Sequence, residues 1–380
     1  MTDSRRTLFM IAGEDSGDAY GAGLARALRA KEPGVRLRGL GGPRMAAAGV
    51  ELFQDLASHA IMGVAGLLGN VAGLVRAYRT ITHRLSLDRP SGIVLIDFPE
   101  FNLAVARHAN RVGVPVIDYV SPQVWAWRTG RVRKIAARVR KVLCLFEFEE
   151  EFYRRRGVAA EHVGHPLLDT MADKLAVTDR AAVRDELGLP GSGPLIGLLP
   201  GSRRKEVQHV LPLLLRAAEI IRRERGDATF VTGAAAGLDR GLFAAIGGRF
   251  HVPFRIVSGR AHDLMLASDL LLICSGTATL EAALLGTPMV VTYRANLLNY
   301  LVFGTLIRPG CYALPNIVAG EKIVPELYMI DARPNRMAAA ALDLLDGRLD
   351  AVRRRLGVVA DKLGQPGATA RAADEVLALT

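Results

Sequence analysis

The sequence Thr7-Leu-Phe-Met-Ile-Ala-Gly13, followed by an amphipathic stretch over Asp18–Ala30, decides the fold class. The first segment is a continuous apolar run that ends in glycine, which is typical of a strand buried on both faces. The second segment has the apolar spacing of a helix. A buried strand that leads through a short turn into a helix predicts a parallel α/β unit.

The same alternation recurs along the chain and falls into two sets. In the first half, further buried strands are predicted at Ile93–Asp97, Val114–Val120 and Val142–Leu145. In the second half, strands are predicted at Leu195–Leu199, Ala228–Thr232, Leu270–Cys274 and Met289–Thr292. Solenoids and propellers are excluded, because no repeat of about 20–50 residues is visible. We therefore predict two facing, Rossmann-like, doubly wound α/β domains.

Turn-rich sequence indicates where one domain ends and the next begins. The boundary is expected between His165 and Gly193, since Gly188-Leu-Pro-Gly-Ser-Gly-Pro194 precedes the first strand of the second set. We predict domains over residues 1–185 and 186–334, followed by a C-terminal helical tail over 335–380. In open α/β sheets ligands bind beyond the carboxyl ends of the strands, so the active site is expected in the cleft between the domains.

Composition restricts the partners and the compartment. The 380 residues include 49 Lys and Arg against 38 Asp and Glu, a formal net charge of +11. This excess favours anionic partners such as phosphorylated substrates or an acidic membrane surface. Nucleic acid is not expected, because zinc-finger spacing, RNP aromatics and basic-region heptads are missing from the sequence. Three cysteines without metal-ligand spacing, and no recognisable signal peptide, favour a reducing, cytoplasmic compartment.

The loop Ala12-Gly-Glu-Asp-Ser-Gly-Asp18 follows the first strand and carries polar side chains. It lacks the G-x-G-x-x-G pattern of dinucleotide-binding proteins, and its three carboxylates would repel a diphosphate. We therefore predict that hydroxyl groups are bound or deprotonated here, with Glu14 and Ser16 as the candidate residues. Helix N-capping by Ser16 or Asp18 is the alternative interpretation.

Two further loops of the first domain contain candidate residues. Asp97 follows an apolar strand, where partial desolvation suits a general base, although a capping aspartate is the alternative. Tyr119-Val-Ser-Pro-Gln-Val-Trp-Ala-Trp-Arg128 places Trp125, Trp127 and Arg128 after another strand, which favours a ligand wall over core. Arg128 also begins a run of seven basic residues that ends at Lys141. That run predicts either a solvated helix face or a surface for an acceptor phosphate or an acidic membrane.

Two loops of small residues in the second domain predict an anion site. One is Leu199-Pro-Gly-Ser-Arg-Arg204, in which Arg203 offers a bidentate fork to phosphate. The other is Ser275-Gly-Thr-Ala-Thr-Leu-Glu281, whose small residues open a helix and whose glutamate can accept hydrogen bonds from ribose hydroxyls. Together they predict a nucleotide-diphosphate site formed by Gly201, Ser202, Arg203, Ser275, Gly276, Thr277, Thr279 and Glu281. N-capping by the two threonines is the alternative interpretation.

The stretch Ala60–Val75 contains a single polar side chain, Asn70, and its larger apolar residues follow helical spacing. It is too short to span a bilayer, which needs about 20 apolar residues. Two interpretations stay open. It is either a buried core helix or an interfacial segment that dips into lipid, with Arg76, Arg79 and Arg84 at its end.

These motifs resemble the bacterial lipid A disaccharide synthases, glycosyltransferases of the GT-B type, nearly from end to end. The most specific of them is Val120-Ser-Pro-x-Val-Trp-Ala-Trp-Arg128. The remaining motifs are Gly13-Glu-x-Ser-Gly-Asp18, Gly41-Gly-Pro-Arg-Met45, Met62-Gly63, Ile96-Asp97, Gly164-His-Pro166, Leu199-Pro-Gly-Ser-Arg203, Ser275-Gly-Thr-Ala-Thr-Leu-Glu281 and Leu314-Pro-Asn316.

The resemblance implies transfer of 2,3-diacylglucosamine from UDP to the 6-hydroxyl of 2,3-diacylglucosamine 1-phosphate. The products are UDP and the β-1,6 lipid A disaccharide 1-phosphate, a precursor of lipopolysaccharide. It implies an inverting hexosyltransferase that needs neither metal nor cofactor. Asp97 falls on the family's essential aspartate, Arg203 on its donor-phosphate arginine and Asn316 on an active-site asparagine. Where the family usually has a second aspartate, this chain has Glu100, which puts the fine position of that carboxylate in doubt.

The resemblance also assigns roles to the domains and names partners. The first domain would bind the acceptor and its lipid through Ser16, Met62, Trp125, Trp127 and Arg128, and the second would bind the UDP-sugar. It further implies a homodimer that exchanges the helical tail after Pro334. The two acylated, anionic substrates would account for both the basic excess and the apolar surface. Peripheral attachment to the anionic inner membrane is also expected.

Two other functions remain as alternatives from the sequence. Another UDP-sugar enzyme of the same fold, such as an epimerase or a transferase making a cell-wall precursor, shares the nucleotide loops but has no need for Ala60–Val75. A non-enzymatic, basic membrane-binding module uses that stretch but leaves Asp97 and Glu281 unexplained. Release of UDP from the two acylated sugars separates all three.

Overall fold

A computed structural model describes residues 6–56, 71–121, 124, 129–177, 179–235, 237–293 and 311–380. Four predicted site residues, Met62, Trp125, Trp127 and Arg128, lie outside the described residues, and so does most of the 60–75 stretch. The chain divides into two compact units. Unit 1 comprises residues up to Asp169 together with Leu363–Thr380, and unit 2 comprises Thr170–Lys362.

Unit 1 is built on a seven-stranded parallel sheet with strand order β3-β2-β1-β4-β5-β6-β7. Its strands are β1 (Thr7–Ala12), β2 (Arg36–Gly41), β3 (Glu51–Asp55), β4 (Gly92–Ile96), β5 (Val116–Tyr119), β6 (Lys141–Cys144) and β7 (Ala160–His162). The helices that follow them are α1 (Asp15–Lys31), α2 (Pro43–Ala47), α3 (Val71–Asp88), α4 (Pro99–Arg111), α5 (Val132–Ala136), α6 (Glu147–Arg154) and α7 (Leu167–Thr170).

Unit 2 repeats the design on a six-stranded parallel sheet with strand order β10-β9-β8-β11-β12-β13. Its strands are β8 (Leu195–Leu199), β9 (Thr229–Ala234), β10 (Phe254–Ser258), β11 (Leu270–Cys274), β12 (Met289–Tyr293) and β13 (Glu326–Tyr328). Its helices are α8 (Ala172–Leu175), α9 (Arg180–Glu186), α10 (Arg204–Glu224), α11 (Arg240–Gly247), α12 (Ala261–Ala267), α13 (Ala278–Leu284), α14 (Leu314–Ala319), α15 (Pro334–Leu345) and α16 (Leu349–Lys362). The last helix of the chain, α17 (Ala368–Leu379), belongs to unit 1.

The two parallel, helix-covered sheets confirm the predicted α/β class. All eight strands expected from the sequence are present within one or two residues at each end, and their apolar side chains form the cores of the sheets. Five strands were not predicted from the sequence: β2 and the four strands at the sheet edges, β3, β7, β10 and β13. Edge strands are short and carry polar residues, which protects their unpaired side but hides them from a search for apolar runs.

The units differ from the predicted domains at two places. Residues 170–185 belong to unit 2 because α9 is bound there: Arg180 Nε donates to Leu266 O and Arg184 Nη2 to Asp269 Oδ2, both at 2.8 Å. The tail over 335–380 is divided rather than separate. Helix α15 packs on α10 and α16 on α13 and α14 in unit 2, whereas α17 packs on α1 in unit 1.

Candidate active site

The strand order in unit 1 reverses between β1 and β4, which is where open α/β sheets bind ligands. Ala12 pairs with Ile96, so the loops that follow these two strands begin side by side. Asp97, the residue after β4, has φ of 42°, in the left-handed region that costs a non-glycine residue about 1–3 kcal/mol. Such strain clusters at functional sites, so the structure singles out the same aspartate that the sequence does.

Two neighbours hold the Asp97 turn. Asn102 is buried on α4, and with its side-chain oxygen facing the turn it accepts N–H bonds from Ile96 at 3.2 Å and Phe98 at 3.3 Å. Gly13 lies against the Phe98 ring so closely that a Cβ there would be 2.3 Å from a ring carbon. The N-cap of α4 is Phe98, so the capping alternative for Asp97 finds no support.

Ser16 is brought to the same carboxylate from α1. Its Oγ donates to Asp97 Oδ2 at 2.9 Å. Burial raises the pKa of Asp97 above the ordinary aspartate value, while the Ser16 hydrogen bond acts in the opposite direction. A carboxyl group with a raised pKa that keeps one hydrogen bond to its charged form is a stronger base than an exposed aspartate.

Glu14 and Asp18, from the same loop, have different surroundings. Glu14 is half-buried and is the N-cap residue of α1, with no side-chain capping bond. Asp18 is buried and accepts backbone N–H bonds from Gly42 at 2.8 Å, Arg44 at 2.9 Å and Met45 at 3.0 Å. Asp18 therefore caps α2, whereas the alternative interpretation expected Ser16 or Asp18 to cap the helix that they open, whose N-cap residue is Glu14.

A second buried acid, which the sequence reasoning missed, lies on the next strand. Asp118 of β5 is 5% exposed, and burial, followed by the charges of Asp97 and Glu149, raises its pKa well above the ordinary value. Its position inside a run of apolar residues was the available signal, since a charged side chain is rare in a buried strand. The negative charge of Asp97 thus contributes to the raised pKa of Asp118 on the adjacent strand.

In unit 2, the loop after β8 is shaped as predicted but already holds a carboxylate. Gly201 has φ of 114°, and a Cβ there would lie 2.5 Å from Glu206 Oε2. That oxygen accepts the backbone N–H of Ser202 at 3.1 Å and of Arg203 at 3.2 Å, and Glu206 Oε1 accepts Arg203 Nη1 at 2.8 Å. A glutamate three residues into a helix is a capping-box signal, and it was missed in the sequence.

The loop after β11 presents its first residues and buries the later ones. Gly276 and Thr277 are exposed and Ser275 is half-buried, so these three are accessible to a ligand. Thr279, in contrast, is fully buried, and its hydroxyl donates to Gly276 O at 2.7 Å. It stabilises the loop internally and does not offer its hydroxyl to a ligand.

Glu281 is half-buried and is not free of partners. His262 Nε2 lies 3.1 Å from Glu281 Oε2, and this hydrogen bond is the main cause of the raised pKa of His262. A ribose hydroxyl that approached Glu281 would share the carboxylate with this imidazole.

Asn316 is fully buried and its side-chain amide is committed within unit 2. Its oxygen accepts the N–H groups of Ile323 at 2.8 Å and Val324 at 2.9 Å, while its nitrogen donates to Val324 O at 2.9 Å and Glu326 Oε2 at 3.1 Å. The resemblance places this side chain in the active site, among the donor-binding residues. In the structure it orients the segment around α14, and its amide does not reach the surface.

No group of three or more His, Cys, Asp or Glu side chains within the described ranges could hold a metal ion. Metal independence itself stays a prediction. Likewise, no helix of the described part of the chain is long and apolar enough to cross a membrane.

Comparison with known proteins identifies relatives over the whole chain. A family model described as lipid-A-disaccharide synthetase matches residues 8–365. A lipid-A-disaccharide synthase of Syntrophus aciditrophicus is 41% identical over 382 residues, which cover 99% of this chain and 97% of the relative. One from Geobacter sulfurreducens is 39% identical over 372 residues, covering 97% and 96%.

Solved structures share the fold at low identity. S. aureus MnaA with UDP has a TM-score of 0.66 at 13% identity, covering 99% of this chain and 98% of the other. The glycosyltransferase of kitacinnamycin has a TM-score of 0.65 at 17% identity, covering 99% of each chain. These neighbours establish a two-domain α/β fold of the GT-B type.

Proposed function

The chain belongs to the lipid-A-disaccharide synthetase family, and we propose that Asp97 is its catalytic base. It is a hexosyltransferase that condenses UDP-2,3-diacylglucosamine with 2,3-diacylglucosamine 1-phosphate to the lipid A disaccharide, which removes the epimerase and the non-enzymatic alternatives. The observation that supports Asp97 is its geometry: a strained, partly buried carboxylate at the switch point of the sheet, hydrogen-bonded to Ser16 at 2.9 Å.

The proposed step is a displacement with inversion at the anomeric carbon. A sugar hydroxyl is a poor nucleophile at neutral pH, so its proton must leave as the new bond forms. Asp97 takes the proton of the acceptor 6-hydroxyl while the oxygen bonds to the anomeric carbon of the donor. The bond from that carbon to the diphosphate oxygen breaks, and UDP leaves with the electron pair. Glu14, after the neighbouring strand, is the rival base.

On the donor side, we propose that the loop around Arg203 and the accessible residues Ser275–Thr277 bind the diphosphate. The guanidinium of Arg203 and the N–H groups of Ser202 and Arg203 are suited to a phosphate oxygen. All three of these donors are hydrogen-bonded to the Glu206 carboxylate in the structure. A bound donor phosphate would therefore replace Glu206 as the acceptor of some of these hydrogen bonds.

The assignment of the base is tested with Asp97→Asn and Glu14→Gln, which keep shape and remove one acid each. We expect Asp97→Asn to lower turnover about 10²–10⁴-fold, with UDP affinity little changed. Mass analysis of the disaccharide 1-phosphate measures turnover, and calorimetry with UDP measures donor binding. If Asp97→Asn keeps more than about a tenth of the activity and Glu14→Gln loses the larger factor, the roles are reversed.

We further propose peripheral attachment to the anionic, cytoplasmic face of the inner membrane. The start of α3, which continues the apolar 60–75 stretch, exposes Val71 by 49% and Val75 by 43%, and Arg76 beside them is exposed. Apolar side chains next to cations suit a surface of anionic lipid.

Replacing both valines with serine should reduce sedimentation with vesicles that contain anionic phospholipid. The melting temperature should change little, because both side chains are already exposed. Val358→Ser, which removes a side chain 45% exposed on α16, is the matched control. Unchanged sedimentation of the double variant would contradict the membrane proposal.

A homodimer is also proposed, with the tail after Pro334 as the exchanged segment. The support is the family resemblance; within the single chain α17 is attached to unit 1, where the N–H groups of Gly367 and Thr369 donate to Asp169 at 2.5 and 2.9 Å, and an exchanged tail would form these bonds with the partner instead. Light scattering should give twice the chain mass of 40.9 kDa, and a monomer mass at all concentrations would refute the dimer.

A further inference from the structure

Unit 1 contains a cavity of about 260 Å³ that the roles proposed above do not use. It lies between α3, α4 and residues 131–138. Its walls carry four cationic side chains, Arg107, Arg131, Lys134 and Arg138, and one carboxylate, Glu100. The cavity is smaller than the roughly 300–1,000 Å³ pockets that enclose drug-sized ligands, so it suits one charged headgroup rather than a whole lipid.

The positive charge of the cavity is only partly neutralised. Glu100 forms an ion pair with Arg131, whose side chain is 11% exposed. Arg138 Nη1 donates to Leu103 O at 2.9 Å, which holds its guanidinium at the wall. Within the described residues, Arg107 and Lys134 have no acidic partner, and both are exposed. A concave site with unpaired cations attracts an anion.

The cavity begins next to the Asp97 turn. Helix α4 starts at Pro99, two residues after Asp97, and the lining residues Glu100 and Arg107 are spaced by seven, so they share one helix face. Glu100 lies in the first turn of α4, three residues after Asp97, and Arg107 lies about 10.5 Å further along the helix axis. The ring of Phe98, in the Asp97 turn, packs on the ring of Phe101 in the first turn of α4, with centroids 5.3 Å apart.

We propose that this cavity binds the 1-phosphate of the acceptor sugar, with Arg107 and Lys134 as its direct ligands. The inference rests on the proposed function and deepens it by naming the acceptor's anchor. A phosphate monoester carries close to two negative charges at neutral pH, which matches the unpaired cations. Glu100 would position Arg131 rather than touch the phosphate.

The test uses the double variant Arg107→Ala/Lys134→Ala of the full chain, in micelles of neutral detergent. Arg133→Ala is the matched control, because Arg133 is an exposed cation beside Lys134 that does not line the cavity. Each enzyme is assayed with 2,3-diacylglucosamine 1-phosphate and with the same acceptor lacking the phosphate. The KM for the phosphorylated acceptor should rise roughly 10- to 100-fold in the double variant, since charge-assisted hydrogen bonds are lost. In the double variant, the KM for the donor and the kinetics with the unphosphorylated acceptor should equal those of the wild type. The control variant should match the wild type with both acceptors.

The arms of the experiment separate the sources of failure. Equal losses with both acceptors would overturn the phosphate assignment. The assays are repeated with the acceptor in vesicles of anionic phospholipid. A defect that is seen only in these vesicles would also overturn the assignment, because the cavity would then bind a membrane headgroup. A wild-type enzyme that forms no disaccharide would overturn the proposed function itself, whereas an active wild type with an unaffected double variant overturns only the assignment of this cavity.

Discussion

Ser16→Ala should move the acid limb of the pH profile without removing the base. The hydroxyl donates to Asp97 Oδ2 at 2.9 Å and holds the pKa of Asp97 below what burial alone would give. A hydrogen bond to a charged group contributes about 1.5–3 kcal/mol, and about 1.4 kcal/mol corresponds to a factor of ten in the proton equilibrium. The charged form of Asp97 therefore becomes about ten- to a hundredfold scarcer on the acid side of the profile.

The assay is kcat/KM for disaccharide formation across the pH range in which the fold is stable. Since the base must be deprotonated, the acid limb of Ser16→Ala should lie at higher pH than that of the wild type, with similar rates on the plateau. Ser16→Thr keeps the hydroxyl and serves as the control. A uniform loss of rate at every pH, with the limb in place, would refute this reasoning. Ser16 would then act on the acceptor rather than on Asp97.

Three further results are expected. Arg203→Ala should weaken UDP binding by about 1.5–3 kcal/mol, because a charge-assisted contact to phosphate is lost; unchanged affinity by calorimetry would remove it from the site. Gly13→Ala should destabilise the fold by about 1–3 kcal/mol, since its Cβ would clash with the Phe98 ring, and denaturant unfolding measures this; a neutral result would show that the ring can move. The hydrogen bond to Glu281 raises the pKa of His262. The pair therefore stabilises the fold fully at pH values below the pKa of an unfolded histidine, about 6.5. This stabilisation is lost as the pH rises through the higher pKa that His262 has in the folded protein. Because both side chains are partly exposed, the effect should be below about 1 kcal/mol, and the melting-temperature difference between wild type and His262→Gln should shrink at alkaline pH.

The sequence by itself determined the two parallel sheets and the position of the candidate base. Buried parallel strands are continuous apolar runs, and all eight that were expected are present, because local composition alone marks a strand covered on both faces. The same rule finds Asp97, since a polar residue directly after such a run must lie at the carboxyl edge of the sheet. The motifs also identified the family, which the relatives confirm over nearly the whole chain.

Only the tertiary structure decided which polar side chains are available. Asp18 and Asn316 are of residue types that bind ligands, yet each is buried and hydrogen-bonded to the backbone of another segment, Asp18 to Gly42 and Asn316 to Ile323. Thr279 is also buried, and its hydroxyl donates to Gly276 O of its own loop. The proposed phosphate-binding cavity is formed by residues of α3, α4 and 131–138. The sequence indicated the basic run from Arg128 to Lys141, but not that Arg107 of α4 lies at the same cavity. The physical reason is that an apolar or polar pattern is local, whereas burial and hydrogen-bond partners are set by which elements pack together.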